Sequence, residues 1–232
     1  MTKILNRFVL LASVASMYAT QAHGAETFGG VEFPQGALSF ADAVVSYDPG
    51  PVAPSMPYQG TFNALGVPDY AGGSSCSSQA DCSFLTLGDG GSVVLRFVDN
   101  LLTGSGSADD DLWIFEIGSD VENTFVDISS DGVTWSSVGF VGGATSGIDI
   151  DAFGFGAGDT FSYVRLTDDT NEGQQSGSTV GADIDAVGAI STIAAPGVPE
   201  PATWLTMVLG FGLVGGTMRA RRNRPGIPRT AQ

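Results

Sequence analysis

The amino-acid sequence predicts an all-β fold, an antiparallel β-sandwich. The chain of 232 residues contains 33 glycines and only 15% charged residues, a composition typical of loop-rich β-proteins. Between residues 25 and 192, no stretch shows helical periodicity or helix-capping signals. Short apolar runs alternate instead with turn residues, and this pattern favours two packed antiparallel sheets.

Seven runs are rich in Val, Ile, Phe and Thr and are bounded by Gly, Asp, Asn and Ser. We predict one strand in each run: Leu38–Tyr47, Ser92–Val98, Leu112–Ile117, Thr124–Ser129, Thr134–Phe140, Phe161–Thr167 and Ala182–Ile190. The Asp131-Gly132 pair predicts a tight hairpin turn, because it can supply positive φ angles. Residues 49–91 indicate a long irregular excursion.

The charge of the middle segment excludes several functions. Residues 25–198 hold 24 acidic residues but only Arg96 and Arg165, a net charge of −22. A basic face for a phosphate backbone is therefore missing, and nucleic-acid binding is excluded. The single histidine, His23, precedes this segment, which rules out histidine-dependent metal sites and Ser-His or Cys-His catalysis within it.

Both ends of the chain are predicted to direct its export. Residues 1–24 combine Lys3 and Arg7, the apolar run 8–19 and a small-residue end at Gly24, the layout of a cleaved signal peptide. An uncleaved anchor is the alternative, although the run is short for one. The main domain then covers residues 25–196, residues 197–224 form a C-terminal signal and residues 225–232 a tail.

The C-terminal signal has three parts in a fixed order. A motif at 198–204 contains Pro199, Glu200, Pro201 and Trp204, an apolar membrane helix is predicted at about 204–218, and a basic stop at 219–224 contains Arg219, Arg221 and Arg222. Trp204 suits the headgroup zone, and the arginines hold the far end in the cytoplasm. An ordinary single-span anchor is the alternative.

This order resembles the PEP-CTERM sorting signal of exported bacterial proteins. The resemblance implies a transient membrane anchor, recognition at the Pro-Glu-Pro motif and cleavage near it by an exosortase. It also implies a mature protein at the cell surface or outside the cell, in association with exopolysaccharide and biofilm.

Cys76 and Cys82 are the only cysteines, and they lie in a loop rich in Ser and Gly. In an exported chain they are predicted to form a disulfide. A metal or redox pair is the alternative, but the middle segment offers no further Cys or His as a partner.

Residues 128–135, Ile-Ser-Ser-Asp-Gly-Val-Thr-Trp, are similar to a hairpin of discoidin-like, galactose-binding jelly-roll domains. Residues 163–166, Tyr-Val-Arg-Leu, resemble the strand that follows it there. The resemblance implies a jelly roll with Ala182–Ile190 as its closing strand. It also implies a calcium ion near the first and last strands, with Asp183 or Asp185 as the leading ligands.

Carboxylates gather in two further places. Residues 147–154 and 181–188 both read G-x-D-I-D-A-x-G, so Asp149 and Asp151 repeat the pair Asp183 and Asp185. In an extended strand each pair would share one face, where a cation would relieve the repulsion. The second place is the Gly- and Asp-rich region that includes Asp99 and Asp109, whose oxygens suit Ca²⁺. Bonding to nearby backbone amides, or a merely soluble loop, is the alternative.

These features together predict a non-catalytic, exported module that binds carbohydrate and is stabilised by Ca²⁺. Aromatic side chains in loops would be its sugar platforms, and Tyr58, Phe62 and Tyr70 are candidates unless they are packed. An inert coat component is one alternative. A carboxylate-dependent glycoside hydrolase or lyase is another, although an acidic chain always contains some suitable pair.

Overall fold

The computed structural model describes residues 24–73, 75–118, 122–173, 175–195 and 209–211. Within residues 24–195, β-branched and aromatic residues form short strands. In chain order these are β1 (Glu26–Phe28), β2 (Val31–Phe33), β3 (Ala43–Asp48), β4 (Leu85–Thr86), β5 (Ser92–Arg96), β6 (Asn100–Leu102), β7 (Leu112–Glu116), β8 (Thr124–Ser129), β9 (Ser136–Val141), β10 (Thr145–Ile148), β11 (Tyr163–Asp168), β12 (Asp183–Ala189) and β13 (Thr192–Ala194).

Short 3-10 helices interrupt the connections between the strands. They span Gly36–Ser39, Met56–Tyr58, Thr61–Ala64, Gln79–Asp81 and Asp151–Phe153. Residues 209–211 are helical. Among the residues that the structure describes, no helix has the length and apolar character needed to cross a membrane.

The strands form two larger antiparallel sheets that face each other. One has the order β3-β5-β11-β8-β9, and the other has the order β10-β7-β12-β4. Side chains alternate along the strands, as in β11, where Val164 and Leu166 are buried between partly exposed neighbours. They pack in one core with side chains of the second sheet such as Ile114 and Val187. Each such burial contributes about 1.5–3 kcal/mol, which holds the sheets together as a β-sandwich.

A second apolar cluster covers the outer face of the four-stranded sheet. The β1–β2 hairpin and the following 3-10 helix bring Phe33 and Phe40 against Phe115 of β7 and Ala186 of β12. The rings of Phe33 and Phe40 lie 4.7 Å apart. Gly188 allows this approach, because a Cβ there would lie only 2.7 Å from the Phe33 ring.

The predicted all-β architecture is confirmed, and each of the seven predicted runs contains a strand. The first run was predicted too long: its beginning, including Leu38, lies in a 3-10 helix, and β3 starts at Ala43. Residues 49–91 form the expected irregular excursion apart from β4 and single helical turns. The signal peptide and the sorting motif lie outside the described residues, as does the predicted membrane helix except for 209–211.

The predicted hairpin joins β8 and β9, but its turn is wider than expected. Pairing resumes at Ile128 and Ser136, so residues 129–135 form the loop. Only Gly132 has a positive φ, +74°. The carboxylate of Asp131 instead accepts the N–H groups of Val133 and Thr134, at 2.8 and 2.7 Å. These bonds lower the pKa of Asp131 to about 2, so its charged form holds the loop.

Cys76 and Cys82 form the predicted disulfide, with Cα atoms 5.2 Å apart. The bridge lies in the irregular excursion beside a small aromatic cluster. In that cluster, Tyr58 and Tyr70 both pack on Phe84, with ring centroids 5.8 and 6.0 Å away. The disulfide therefore fastens the loop that follows Tyr70 to the sandwich.

Candidate functional site

Asp183 and Asp185 lie in β12, between β7 and β4 in the four-stranded sheet. A register shift between Ile184 and Ala186 makes this strand irregular at Asp185. The Thr86 hydroxyl donates a short hydrogen bond to Asp183, whereas Asp185 accepts the N–H groups of Asp69 and Tyr70, at 3.1 and 3.3 Å. The two carboxylates therefore have separate partners, in line with the amide-bonding alternative for Asp185.

Burial raises the pKa of both carboxyl groups. The pKa of Asp183 rises to about 8, mainly because burial disfavours its charge. The pKa of Asp185 rises to about 6 for the same reason, although its two amide bonds oppose the change. Asp185 is only 4% exposed, so its carboxylate fixes the 69–70 loop more than it meets solvent.

The second Asp pair does not repeat this conformation. β10 ends at Ile148, and Asp151 begins a 3-10 turn that Gly154 closes with a φ of +90°. The prediction that Asp149 and Asp151 share one face of an extended strand is therefore wrong. Ile150 remains fully buried between them, as Ile184 is in the other copy. The two copies of the motif therefore share a buried isoleucine but differ in backbone conformation.

Asp111, Asp149 and Asp151 form a carboxylate triad. One carboxylate oxygen from each lies within 4.8 Å of the others, and no other group of three His, Cys, Asp or Glu side chains is this close in the described part of the chain. β7 and β10 pair with Leu112 opposite Ile148. Asp111 immediately precedes β7 and Asp149 immediately follows β10, so this pairing brings the two residues next to each other.

Of the remaining predicted ligands, Asp109 and Asp99 lie outside the triad. Asp109 belongs to the same loop as Asp111 but is exposed and accepts the hydroxyl of Ser107 at 2.8 Å. Asp99 lies beside the β6–β13 pair, where its carbonyl accepts the N–H of Ala195. Asp111 was not among the predicted ligands, because only the β7–β10 register brings it to Asp149.

A concave surface, the aromatic cleft, lies at the other end of the β7–β10 pair. It has a volume of about 480 Å³, and its lining residues include Phe28, Tyr70 and Phe115. Phe28 and Tyr70 are half-buried and Phe115 is buried. Among the three predicted platforms only Tyr70 lines the cleft: Tyr58 is buried against Phe84, and Phe62 is 54% exposed elsewhere.

Polar groups from four elements also line the aromatic cleft. They are the hydroxyl residues Thr27 and Thr145 and the carboxylic residues Glu116 and Asp185. Glu116 is 3% exposed and accepts the N–H of Glu122 at 2.9 Å. Burial, together with a hydrogen bond to the Glu122 carboxyl, raises the pKa of Glu116 to about 9. The raised pKa favours the neutral form of this buried carboxyl.

Both arginines of residues 24–195 lie on the five-stranded sheet. The Arg165 guanidinium pairs with Asp127 at 2.7 Å and stacks 4.6 Å from the Trp135 ring. Arg96 lies 5.5 Å from the Tyr163 ring. Neither lines the aromatic cleft, so no cationic side chain of the described residues is available there to bind an anion.

The comparisons with known proteins give little further guidance. No family model matches the chain, and no curated protein matches it. Among solved structures, the chain is similar to the crystal structure of the C-terminal domain of a chitobiase from Bacteroides fragilis. The match has 12% sequence identity and a TM-score of 0.36, and it covers 69% of this chain and 97% of that one. A likeness at this level carries no argument about function.

Proposed function

We propose that this protein is an exported, surface- or matrix-associated, non-catalytic module that binds a neutral glycan in the aromatic cleft. The observation that carries the proposal is the cleft itself, which combines aromatic rings with hydroxyl and carboxyl groups in one open concavity. Its volume of about 480 Å³ lies within the range of small-molecule sites.

The cleft suits a sugar because a pyranose has an apolar C–H face and a rim of hydroxyls. Phe28 and Tyr70 are partly exposed and offer rings on which such a face can stack. Thr27 and Thr145 offer hydroxyls that both donate and accept hydrogen bonds. Asp185 is buried and is already held by two amides, so this polar group is fixed before a ligand arrives.

The charge of the cleft favours a neutral sugar over an acidic one. Its titratable lining residues are carboxylic and phenolic, and no lysine or arginine is among them. A uronic acid or sulfated sugar would meet like charge in a net −22 segment without a compensating cation. Neutral hydroxyls meet no such repulsion.

Export and processing rest on the sequence. The signal-peptide layout of residues 1–24 and the resemblance of residues 197–224 to a PEP-CTERM signal support passage through the inner membrane and cleavage by an exosortase. The disulfide between Cys76 and Cys82 is compatible with an oxidising compartment. We therefore place the mature protein at the cell surface or outside the cell, next to the glycan that it binds.

One observation favours a second candidate function, a carboxylate-dependent glycoside hydrolase or lyase. Glu116 and Asp185 both line the cleft, and both have a raised pKa. Such a pair can supply a general acid and a base or nucleophile. However, Glu116 holds the N–H of Glu122, and Asp185 holds those of Asp69 and Tyr70. We therefore assign both carboxyls to structure and sugar contact.

Binding can be tested by affinity electrophoresis of the purified chain in gels that contain neutral or acidic polysaccharides. We expect retardation by a neutral polysaccharide, and Tyr70→Ala should abolish it. Phe62→Ala is the matched control, because it removes an exposed ring outside the cleft. Thermal melts of both variants verify that they are folded.

The same material separates the alternatives. Release of reducing ends, lost in Glu116→Gln, would establish the enzyme. Unchanged mobility with every polysaccharide would leave an inert coat protein, and loss of binding in Phe62→Ala but not Tyr70→Ala would place the site elsewhere.

Mass spectrometry of the mature protein tests processing: we expect an N-terminus at Ala25 and a C-terminus near Pro199, with the tail retained when Glu200 is replaced by Ala.

A further inference from the structure

A second feature of the four-stranded sheet lies at the opposite end of the β7–β10 pair from the aromatic cleft. There the carboxylate triad joins the loop before β7 to the turn after β10. We propose that Asp111, Asp149 and Asp151 bind a Ca²⁺ ion that fastens these two segments together. This inference does not depend on the proposed glycan function.

Asp111 contributes a buried oxygen that no hydrogen bond satisfies. Its side chain is fully buried, and one oxygen, Oδ2, accepts the N–H of Ile150 at 3.0 Å. The other oxygen, Oδ1, is buried and has no hydrogen-bond partner. A buried carboxylate oxygen without a donor is costly, and a cation at the triad would satisfy it.

The electrostatics around Asp111 agree with this view. The carboxylates of Asp149 and Asp151 each bring an oxygen within 4.8 Å of one from Asp111. Asp109 and Asp110 precede Asp111 in the same loop and add two more carboxylates. Negative charge is thus crowded here, and a divalent cation would relieve the crowding.

No cationic side chain can take the place of the metal. In residues 25–198 the only basic side chains are Arg96 and Arg165. Both belong to the five-stranded sheet, where Arg165 is bound to Asp127 and Arg96 lies against Tyr163. The compensating charge must therefore come from solution.

The donor set and its spacing favour calcium. Carboxylate oxygens around one ion at 2.3–2.6 Å lie no more than about 5 Å apart, and those of the triad lie within 4.8 Å. All available donors are oxygens, which hard cations prefer. Further oxygens are near, since the Ser105 hydroxyl lies 3.4 Å from Asp151 and the Phe155 carbonyl packs against Gly104. Irregular loops of this kind suit the flexible coordination of Ca²⁺ better than the strict octahedron of Mg²⁺.

The test is calorimetric titration of the purified full chain with Ca²⁺ after EDTA treatment, with Mg²⁺ as the comparison and thermal melts in parallel. We expect one Ca²⁺ per chain, a higher melting temperature with Ca²⁺, and at least tenfold weaker binding in Asp149→Asn. Asp149 is partly exposed, and Asn can still accept its one bond, from the N–H of Ala152. The variant should therefore fold. Asp111→Asn should have the same effect or a larger one.

Asp109→Asn is the matched control, because it removes the same charge from the same loop but lies outside the triad. Retained binding in Asp109→Asn together with loss in Asp149→Asn supports the site. Equal weakening in both variants, or an equal response to Mg²⁺, would reveal diffuse attraction to an acidic surface and overturn it. Loss only in Asp183→Asn or Asp185→Asn would move calcium to β12 and also overturn it, as would the absence of any binding.

Discussion

Raising the pH from 4 to 8 should destabilise this fold, and Asp185 allows a quantitative test of that expectation. In the unfolded chain its carboxyl ionises near 3.8, whereas burial raises the pKa in the folded chain to about 6. Between these values the folded state binds more protons than the unfolded state. The stabilisation is therefore complete below pH 4 and is lost as the pH rises through 6.

The magnitude follows from the gap between the two pKa values. Each pKa unit corresponds to about 1.4 kcal/mol, so the gap between 3.8 and about 6 amounts to roughly 3 kcal/mol. This is a large share of the stability of a typical domain, about 5–15 kcal/mol. The side chain is 4% exposed, so solvent screening does not reduce the effect much.

Urea unfolding, followed by tryptophan fluorescence at constant ionic strength, would measure the free energy of unfolding from pH 4 to pH 8. Asp185→Asn is neutral throughout this range and should lose about 3 kcal/mol less than the wild type. A constant difference in the free energy of unfolding between the variant and the wild type does not matter, because the test compares how that free energy changes with pH. Glu172→Gln, which removes an exposed carboxyl, should follow the wild type. Parallel curves for the wild type and Asp185→Asn would refute the reasoning.

Two further predictions concern the backbone. Replacing both Cys76 and Cys82 by Ser should lower the free energy of unfolding by about 2 kcal/mol, because the bridge closes only a short loop; urea unfolding measures this, and a loss above about 5 kcal/mol would contradict it. Gly88→Ala should be much more destabilising than Gly66→Ala. Both positions have a positive φ, but a Cβ at Gly88 would lie 1.9 Å from the Pro49 carbonyl oxygen, and one at Gly66 would meet nothing within 4 Å. We expect about 1 kcal/mol for Gly66→Ala, and equal urea midpoints for the two variants would disprove the steric argument.

The sequence predicted those strands whose apolar residues alternate or run continuously, because their pattern reflects burial between two sheets. The seven predicted runs all contain strands for this reason. Short strands such as β4 and β13 escaped prediction, since two or three residues hold too little pattern. The width of the Asp131 loop escaped it too, because the local Asp-Gly pair does not report the register of β8 and β9.

The candidate site could be predicted only in part. The repeated motif singled out Asp149 and Asp151, which the structure brings close to Asp111, but it could not reveal that one copy is a turn and the other a strand. Asp111 joins the triad through pairing of strands more than 30 residues apart in sequence. Tyr70 was one of three equal aromatic candidates, and only the fold reveals that it lines the cleft whereas Tyr58 and Phe62 do not. Phe28 and Phe115 come together at the cleft only through the packing of β1 against β7, which no local sequence motif predicts.

The placement of Arg96 and Arg165 has a consequence for the medium in which the protein works. Residues 25–198 have 24 acidic residues and only these two arginines, of which Arg165 pairs with Asp127 and Arg96 lies against the Tyr163 ring. Most of the carboxylates of this segment are therefore balanced by dissolved cations. The folded domain is in this sense a polyelectrolyte surrounded by its own counter-ion atmosphere. At low ionic strength that atmosphere is diffuse and screens poorly, so self-repulsion destabilises the fold, whereas about 0.1 M salt confines the repulsion to some 10 Å. The free energy of unfolding should accordingly be higher in about 0.1 M salt than at low ionic strength.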